Sequence, residues 1–265
     1  MDTPTSALVT GASSGIGAVY ADRLARRGYN LVLVARDEKR LRTVADRISD
    51  TGRSVTMIAA DLTNESGLAR VEHVLRTDAR IDVLVNNAGI VLSGQTARAD
   101  LARLENMIRL NVLALTRLAA AVIPGFIARK GGTVINIGSA VALAPEWVNG
   151  AYSGTKAYVL NLTLKLQQEL AGTGIRVQLV LPGAIRTPMW EKGGIDIVNA
   201  LPAEMLMEPA DVVDAALAGL DNGESVTIPS LPDLQEWNAY EAARQTMVPR
   251  LSRQTPASRY RAARL

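Results

Sequence analysis

The sequence predicts an α/β fold in which a single doubly wound parallel sheet of about seven strands carries helices on both faces. Short runs of valine, isoleucine and leucine recur without polar alternation, which is typical of parallel strands buried on both sides. Stretches with apolar residues at helical spacing separate these runs, and such alternation predicts a parallel sheet. A glycine-rich turn follows the first run, where sheets of this class pass from a strand into a helix.

Seven runs are predicted strands. Right-handed crossovers between them place helices on both faces, and a Rossmann-type fold would order the strands 3-2-1-4-5-6-7. Gly28, Gly52 and Gly172 follow helical stretches, where a left-handed cap is favoured. The predicted strands are Ala7–Val9, Leu31–Ala35, Val55–Ala59, Val83–Val85, Val134–Ile137, Val177–Leu181 and Val226–Ile228.

The length of 265 residues suits one α/β domain. The composition changes near Pro229, after the last predicted strand, where prolines become frequent. Residues 1–229 are therefore predicted to form the main body. Residues 230–265 are predicted to be an appendage of the same domain, with a helix over Asp233–Met247 and a basic tail.

The formal charge is +3 and is unevenly distributed. The segment from Ala242 onward holds arginines and no acidic side chain. Such a tail can bind nucleic acid or an anionic membrane, but it is also typical of a solvated terminus, which we favour. We therefore expect no nucleic-acid partner and no membrane partner. The arginines are Arg244, Arg250, Arg253, Arg259, Arg261 and Arg264.

The composition excludes several kinds of chemistry. No cysteine is present, which excludes disulfides, thiolate catalysis and zinc–thiolate sites. The single histidine, His73, falls in the polar helical stretch Glu65–Thr77 and is expected at the surface. Neither a histidine triad nor a metal site is predicted.

The segments that could target a membrane are weak. Met1–Ser6 is polar and runs straight into the first strand, so no signal segment is expected. The apolar run Val112–Ile127 is interrupted by Thr116 and Arg117, and it is too short and too polar for a membrane span. We expect a soluble, cytoplasmic protein.

The segment Thr10–Gly17 has the properties of a phosphate-binding turn. Gly11 permits a sharp turn, Gly15 lets the backbone approach a pyrophosphate, and Gly17 allows close helix–strand packing. The N-terminus of the following helix offers free N–H groups and a positive dipole end. Glycines spaced G-x-x-x-G-x-G between a strand and a helix predict a dinucleotide site.

Further motifs follow the glycine turn in a fixed order. They are Asn86-Asn87-Ala88-Gly89 after the fourth strand, Asn111, Ser139, Tyr152-x-x-x-Lys156, and Pro182-Gly183 followed by Thr187. Together with Thr10–Gly17, this set resembles the short-chain dehydrogenase/reductase family over Ser6–Ile228. The resemblance implies a nicotinamide-dependent oxidoreductase that assembles as a homo-oligomer, a tetramer or a dimer.

The residues after the second strand bear on the choice of cofactor. Arg36 occupies the position where NAD-preferring members of the family carry an acid, and its guanidinium suits a 2′-phosphate. Asp37 would repel that phosphate if it faced inward, or it would cap the helix that starts there. We favour NADP(H) over NAD(H). Asp61 and Leu62 match family residues near the adenine, although Asp61 is equally suited to capping a helix.

The resemblance assigns other positions to the cofactor site. Asn86 is expected to wall the adenine-side pocket, and Ile185 and Thr187 to meet the carboxamide and the phosphates. The expected cofactor-binding set is Gly11, Ser13, Ser14, Gly15, Ile16, Gly17, Arg36, Asp61, Leu62, Asn87, Ala88, Gly89, Tyr152, Lys156, Pro182, Gly183, Ile185 and Thr187.

The expected catalytic residues are Tyr152, Lys156, Ser139 and Asn111. Tyr152 and Lys156 lie four apart at the start of a predicted helix, so they project from one face. A neighbouring ammonium, together with the positive nicotinamide of the oxidised cofactor, lowers the pKa of a phenol, so Lys156 is expected to tune Tyr152 as general acid in reduction and base in oxidation. The Ser139 hydroxyl can donate to the substrate oxygen. By the family pattern, Lys156 also holds ribose hydroxyls and Asn111 anchors a water in a proton relay.

Apolar residues flank the catalytic groups and indicate a pocket for a small apolar ketone, aldehyde or alcohol. Part of Met189–Met207 is expected to form a mobile lid, with Gly193 and Gly194 supplying flexibility. The expected pocket residues are Val141, Trp147, Met189 and Trp190.

These features predict an NADP(H)-dependent carbonyl reductase or alcohol dehydrogenase. A non-catalytic NADP(H)-sensing binding protein is the alternative that stays open. An epimerase of the longer nucleotide-sugar branch is disfavoured, because those proteins have a different glycine spacing and a larger C-terminal domain.

Overall fold

The structure is a computed structural model that describes residues 5–260 of the chain. Arg261 and Arg264 of the basic tail, and most of the polar stretch Met1–Ser6, lie outside the described residues. The chain divides into two compact units, Met1–Pro229 and Ser230–Leu265. This division falls at the position where the composition changes.

The first unit is built on a seven-stranded parallel sheet with strand order β3-β2-β1-β4-β5-β6-β9. The predicted fold class and strand order are therefore confirmed, with the seventh strand of the sheet being the ninth along the chain. A separate two-stranded pair, β7 and β8, accounts for the difference in numbering. The strands are β1 Ser6–Thr10, β2 Asn30–Ala35, β3 Val55–Ala59, β4 Ile81–Asn86, β5 Gly132–Ile137, β6 Ile175–Val180, β7 Ala184–Ile185, β8 Leu206–Met207 and β9 Val226–Thr227.

Helices follow most of the strands, as the alternating pattern predicts. In the second unit the helix begins at Leu234, because the Asp233 side chain accepts from the N–H of Gln235 and caps it. The helices are α1 Gly15–Arg26, α2 Glu38–Ser49, α3 Glu65–Thr77, α4 Leu101–Ile108, α5 Leu115–Arg129, α6 Gly150–Glu169, α7 Pro188–Lys192, α8 Ile197–Ala200, α9 Pro209–Asp221 and α10 Leu234–Met247. Short 3₁₀ helices cover Thr96–Arg98, Ala140–Ala142, Pro145–Trp147, Ala203–Met205, Val248–Arg250 and Ser258–Tyr260.

The strands of the sheet bury side chains on both of its faces, which explains their unbroken apolar sequence. In β1, Ala7 and Val9 pack into the cluster that α1, α2 and α9 cover, whereas Leu8 packs into the cluster that α3 and α5 cover. Successive side chains of a strand point to opposite faces, so both must be apolar when helices cover both. The carboxyl ends of the strands are left open between these layers, and that edge carries the site described below.

The segment from α4 to α5 is one continuous helix, Leu101–Arg129, that passes through a π-helical turn at Arg109–Ala114. Among the described residues it alone is long and apolar enough to cross a membrane, with a mean hydropathy of 1.8 over its most apolar window. The sequence argument from the length of Val112–Ile127 was therefore insufficient. Half of that window is buried within the protein, and α5 packs against α3 and β4. Such burial is typical of a core helix.

An ion-pair network around one buried carboxylate joins α3 to α5. The Glu72 carboxylate is buried and accepts from the guanidinium groups of Arg117 and Arg76. Burial on its own raises the pKa of Glu72, but the two arginines outweigh it and hold that pKa below its usual value. A carboxylate with a depressed pKa contributes stability above its unfolded-state pKa, and this contribution is lost as pH falls through the folded-state pKa.

Replacing Glu72 with glutamine is expected to lower the free energy of unfolding by about 2 kcal/mol at pH 7, because the charge-assisted hydrogen bonds are lost from a buried position. Urea unfolding measures this, and the difference should shrink as the pH falls below the ordinary glutamate pKa of about 4.3. The exposed pair of Glu105 with Arg109 provides the control, and Glu105→Gln should change stability by less than about 0.5 kcal/mol. Equal effects of the two substitutions at pH 7 would contradict the account.

Candidate active site

A cleft of about 430 Å³ runs along the carboxyl ends of the strands. Open parallel sheets bind ligands at this edge, and the volume lies in the range of small-molecule sites. The structure brings most of the sequence-predicted residues to its wall. They are Gly11, Ser13, Ser14, Gly15, Ile16, Arg36, Asp61, Leu62, Asn87, Ala88, Gly89, Ser139, Tyr152, Lys156, Pro182, Gly183, Ile185, Thr187, Met189 and Trp190.

Five predicted residues do not line the cleft, and the fifth, Asn86, is described below. Gly17 and Asn111 lie behind its wall, and Val141 packs in an apolar cluster with Tyr152 and Trp190. Trp147 ends the 3₁₀ helix Pro145–Trp147, and 61% of its surface is exposed. The structure therefore does not bring Trp147 to the expected substrate pocket.

The glycine turn is held closely against the end of β4. The side-chain Nδ2 of Asn87 donates to the Thr10 carbonyl at 2.9 Å, and the backbone N–H of Asn87 donates to the Thr10 hydroxyl at 3.0 Å. A Cβ at Gly17 would lie 2.4 Å from the Gly11 carbonyl oxygen and 2.5 Å from Asn87 Nδ2. Gly11 and Gly15 adopt φ values of +66° and +54°. The turn therefore requires glycine at these three positions before any ligand binds.

The start of α1 fits the diphosphate of a dinucleotide. Its N-cap residue, Ser14, makes no side-chain capping hydrogen bond, and no acidic residue stands in the first turn. The first N–H groups of the helix are therefore available to an anion, and the positive end of the helix dipole faces the cleft. A cradle of glycines next to uncapped amides is the arrangement that a diphosphate needs.

Asn86 was expected to wall the adenine-side pocket, and this expectation was wrong. Its side chain is buried in the sheet and donates to Asn136 Oδ1 at 3.0 Å. The next residue, Asn87, faces the glycine turn instead, because alternate residues of an extended chain point in opposite directions. Asn86 therefore supports the sheet behind the cleft, and it is not part of the cleft wall.

The choice left open at Asp37 is resolved by helix capping. The Asp37 carboxylate accepts from the N–H of Arg40 at 3.0 Å and caps α2, and Asp37 does not line the cleft. Arg36 does line it, with a side chain that is 60% exposed and a guanidinium nitrogen 3.9 Å from the Asp61 carboxylate. A cation therefore stands at this end of the cleft without a competing charge from Asp37.

Asp61 is not the cap of α3. Asn64 caps that helix by accepting from the N–H of Gly67 at 2.8 Å. Asp61 instead accepts from the N–H and the hydroxyl of Thr63, at 2.9 and 2.8 Å, and its side chain lies at the cleft. The Asp61 carboxylate is thus held rigidly at the end of the cleft where Arg36 stands.

The first turns of α6 carry Tyr152 and Lys156 at the bottom of the cleft. Asn149 caps this helix by accepting from the N–H groups of Ala151 and Tyr152. Tyr152 and Lys156 are 3% and 6% exposed. Because four residues span about one helical turn, both side chains project from the same face, and the Lys156 nitrogen lies 5.9 Å from the centre of the Tyr152 ring.

Burial is the largest influence on the pKa values of Tyr152 and Lys156. Burial raises the pKa of the Tyr152 phenol above its ordinary value, and a hydrogen bond with Ser139 offsets part of that rise. Burial lowers the pKa of the Lys156 ammonium to about 8. The ammonium donates to the Ile137 carbonyl at 2.9 Å and does not reach the phenol. Tyr152 is therefore protonated at neutral pH, as a proton donor must be.

Asn111 occupies the π-helical turn between α4 and α5, and its side chain is 1% exposed. Its Oδ1 accepts from the N–H of Ile90 at 2.9 Å, and its Nδ2 donates to the Ile90 carbonyl at 2.9 Å. A Cβ at Gly89 would lie 3.3 Å from Asn111 Oδ1 and 3.8 Å from Lys156 Nζ. The absence of a side chain at Gly89 thus leaves a gap between these two polar groups.

An apolar wall adjoins Tyr152. Trp190 is buried there, and its indole N–H donates to the Ile185 carbonyl at 2.8 Å. Sequence reasoning missed three members of this wall, Val91, Leu92 and Met107. The run Ile90-Val91-Leu92 directly after the Asn86–Gly89 motif was the signal that could have revealed two of them.

Pairing of β7 with β8 brings the two ends of the segment from Met189 to Met207 close together. Gly193 was expected to supply flexibility, but its φ is an ordinary −78°. A Cβ at Gly193 would lie 2.7 Å from both the Val91 Cγ1 and the Val91 carbonyl oxygen, and the Gly193 carbonyl accepts from the N–H of Ser93 at 3.0 Å. Gly193 is therefore needed for close packing, whereas Gly194, with φ +79°, makes the turn.

The fold and the cleft together define a Rossmann-type protein with a ligand cleft at the carboxyl ends of its strands. Within residues 5–260 no group of three or more histidine, cysteine, aspartate or glutamate residues could hold a metal ion. The family model described as short chain dehydrogenase matches residues 5–196, which is more than half of the chain. The chain belongs to the short-chain dehydrogenase family, and it is an oxidoreductase of that family.

Solved structures and a curated relative agree with this assignment. A short-chain dehydrogenase from Sphingobium yanoikuyae in complex with NADPH is 50% identical, covers 98% of this chain and 100% of its own, and has a TM-score of 0.93. A bulky-bulky ketone specific alcohol dehydrogenase from Comamonas testosteroni is 44% identical, covers 98% and 99%, and has a TM-score of 0.89. An uncharacterized oxidoreductase of Staphylococcus saprophyticus is 36% identical over 84% of this chain and 93% of its own.

Proposed function

We propose that this protein is an NADP(H)-dependent oxidoreductase that interconverts a ketone or aldehyde and the corresponding alcohol. The observation that carries the proposal is the placement of a buried Tyr152 at the cleft, beside Lys156 and with Ser139 lining the same cleft. When bound, NADPH supplies the hydride. The protein's own residues then have to bind the carbonyl, orient it and deliver one proton.

Tyr152 and Ser139 are the groups that would hold the carbonyl oxygen. Both hydroxyls can donate to an oxygen on which negative charge develops, and both lie in a buried site where such donors are effective. As the alkoxide forms, the O–H bond of Tyr152 breaks and that proton bonds to the substrate oxygen. Ser139 keeps its proton and stabilises the charge until this transfer is complete.

Lys156 and Asn111 would form the inner part of a relay that returns a proton to Tyr152, and a bridging hydroxyl or water would have to stand between the ammonium and the phenol. The Lys156 ammonium lies beside the gap that Gly89 leaves open, and Asn111 Oδ1 borders the same gap. A water there could accept from the ammonium and donate to the amide oxygen, which supports a proton relay. The pKa of about 8 at Lys156 suits a group that both gives and receives protons near neutral pH.

The preference for NADP(H) over NAD(H) is proposed from Arg36. The Arg36 cation stands at the cleft while Asp37 caps α2, so the Asp37 carboxylate does not oppose a 2′-phosphate. The Sphingobium yanoikuyae neighbour was solved with NADPH, which supports the same preference.

Replacing Arg36 with aspartate is expected to raise the KM for NADPH about a hundredfold, because charge-assisted bonds to the 2′-phosphate are replaced by repulsion. The KM for NADH should fall in the same variant. Steady-state kinetics with both cofactors measures the switch, and Asp37→Asn is the matched control because Asp37 caps α2 and does not line the cleft. An unchanged KM for NADPH in Arg36→Asp would contradict the assignment.

The substrate class is proposed from the apolar wall. Val141 and Trp190 pack with Tyr152, and Met189 lines the cleft. The Comamonas testosteroni neighbour acts on bulky ketones, which favours a ketone with an apolar group on each side of the carbonyl over a sugar or a charged substrate. We further propose that the protein works as a cytoplasmic homo-oligomer, a dimer or tetramer, without a nucleic-acid or membrane partner.

A panel of ketones, aldehydes and alcohols assayed with NADPH and NADH tests the proposal. Reduction of bulky apolar ketones with NADPH is the expected result. The alternative is an NADP(H)-sensing protein that binds the cofactor without reducing any carbonyl. Tight NADPH binding with no turnover across the panel would favour that alternative.

A further inference from the structure

Thr155 lies between the residues of the catalytic constellation without touching the cleft. It follows Tyr152 by three positions on α6 and precedes Lys156 directly. Its side chain is 4% exposed and is absent from the cleft wall. Thr155 therefore contacts neither substrate nor cofactor, and any effect on the reaction must act through other residues.

The Thr155 hydroxyl makes two hydrogen bonds. It donates to the Tyr152 carbonyl oxygen at 2.7 Å and accepts from Asn111 Nδ2 at 3.1 Å. A hydroxyl has one proton, and the Tyr152 carbonyl can only accept, so the Thr155 oxygen is left as an acceptor. The Thr155 oxygen can therefore accept from Asn111 Nδ2, whereas Asn111 Oδ1 in the same place would find no donor.

Ile90 imposes the same orientation on the amide from the other side. The Ile90 N–H needs an acceptor and finds Asn111 Oδ1, while the Ile90 carbonyl needs a donor and finds Nδ2. Both protons of Nδ2 are then used, one on Ile90 and one on Thr155. If the amide were flipped, its NH₂ group would lie against the Ile90 N–H and its oxygen would lie against the Ile90 carbonyl oxygen. The orientation of Asn111 is thus fixed by two independent partners.

These bonds join three elements of the site. Ile90 belongs to the segment that leaves β4, Asn111 to the π-helical turn, and Thr155 to the helix that carries Tyr152 and Lys156. Asn111 Oδ1 borders the gap at Gly89 that Lys156 also faces. If the Asn111 amide rotated, Nδ2, a donor, would border the gap in place of Oδ1, an acceptor.

We propose that Thr155 is a positioning residue that locks the Asn111 amide against α6 and so keeps Asn111 and Lys156 in register for proton transfer. The inference rests on the proposed carbonyl reduction for its effect on rate. The lock itself is a property of the protein that can be measured without turnover.

The test compares Thr155→Val, which removes the hydroxyl and keeps the shape, with Thr155→Ser, which restores it. Thr163→Val is the matched control, because Thr163 lies on the same helix, is fully buried, donates to the Val159 carbonyl and accepts from Asn136 Nδ2. The kcat and KM for a reducible ketone and the Kd for NADPH are measured in each variant. Hydrogen exchange of the Ile90 amide is followed in the same proteins.

Thr155→Val is expected to lower kcat by about ten- to a hundredfold, with the KM for the ketone and the Kd for NADPH within about twofold of the parent. The Ile90 amide should exchange at least about tenfold faster, because its acceptor, Asn111 Oδ1, is then held by Ile90 alone. Thr155→Ser should recover both properties, and Thr163→Val should leave both unchanged although it loses comparable stability.

An unchanged kcat in Thr155→Val, or a loss of rate without faster exchange at Ile90, would overturn the inference. An equal loss of rate in Thr163→Val would also overturn it, since a general loss of stability would then explain both. If the parent protein reduces no carbonyl while the exchange result holds, the proposed function fails and the lock on Asn111 stands.

Discussion

Replacing Tyr152 with phenylalanine is expected to lower kcat for carbonyl reduction by about a thousandfold, while the affinity for NADPH changes by less than about threefold. The substitution removes only the phenol oxygen, so the proton for the developing alkoxide has to come from a less well placed donor. The ring stays in the apolar cluster with Val141 and Trp190, so the fold should be retained. Stopped assays of the alcohol product and fluorescence titration of NADPH measure the two effects.

The same helix offers a control for this substitution. Tyr158 is exposed on α6, and its hydroxyl lies 3.0 Å from the Thr116 hydroxyl, away from the cleft. Tyr158→Phe should therefore leave kcat within about twofold of the parent. If Tyr152→Phe kept the rate of the parent protein, Tyr152 would not be the general acid.

Replacing Gly17 with alanine is expected to weaken NADPH binding by about a hundredfold. The added Cβ would stand 2.4 Å from the Gly11 carbonyl oxygen, and backbone on both sides of the turn must move to make room. Losing even one charge-assisted amide–phosphate bond is enough for a change of this size. The free energy of unfolding should also fall by about 1–3 kcal/mol, because the turn is overpacked.

Gly154→Ala distinguishes this local effect from the general effect of alanine in a helix. A Cβ at Gly154 would meet nothing within 4 Å, and the residue lies in the interior of α6. Alanine there should raise stability by up to about 1 kcal/mol and leave NADPH affinity unchanged. NADPH titration and thermal unfolding of both variants make the comparison, and normal affinity in Gly17→Ala would show that the turn does not bind the cofactor.

The sheet could be predicted because its strands are buried on both faces and so have unbroken apolar sequences. The glycine turn could be predicted because backbone conformation and close approach restrict Gly11, Gly15 and Gly17 to one residue type. Both signals are local, and each is visible within about ten residues of sequence.

The features that could not be predicted depend on contacts between distant segments. Whether Asp37 faces the cleft or caps α2 depends on a hydrogen bond whose geometry the sequence leaves open. Trp147 is apolar and close to Tyr152 in sequence, but the 3₁₀ helix that ends at Trp147 points it to solvent. Gly193 suggested flexibility, whereas its contact with Val91 joins segments about a hundred residues apart.

The pKa of Tyr152 is another property that the local sequence could not reveal. The spacing of Tyr152 and Lys156 predicted that the ammonium, together with the positive nicotinamide of the oxidised cofactor, would lower the pKa of the phenol. In the folded protein burial raises that pKa, and the ammonium donates to the Ile137 carbonyl. Burial is a property of the whole fold, so a spacing of four residues could not reveal it.

Transfer of label from cofactor to product tests the central claim most directly. The purified protein is incubated with a bulky apolar ketone and NADPH that carries deuterium on the transferable C4 position. The account predicts an alcohol with one deuterium on its carbinol carbon for each NADPH consumed, and no such product from Tyr152→Phe over the same period. Tight NADPH binding without labelled alcohol from any ketone of the panel would contradict it.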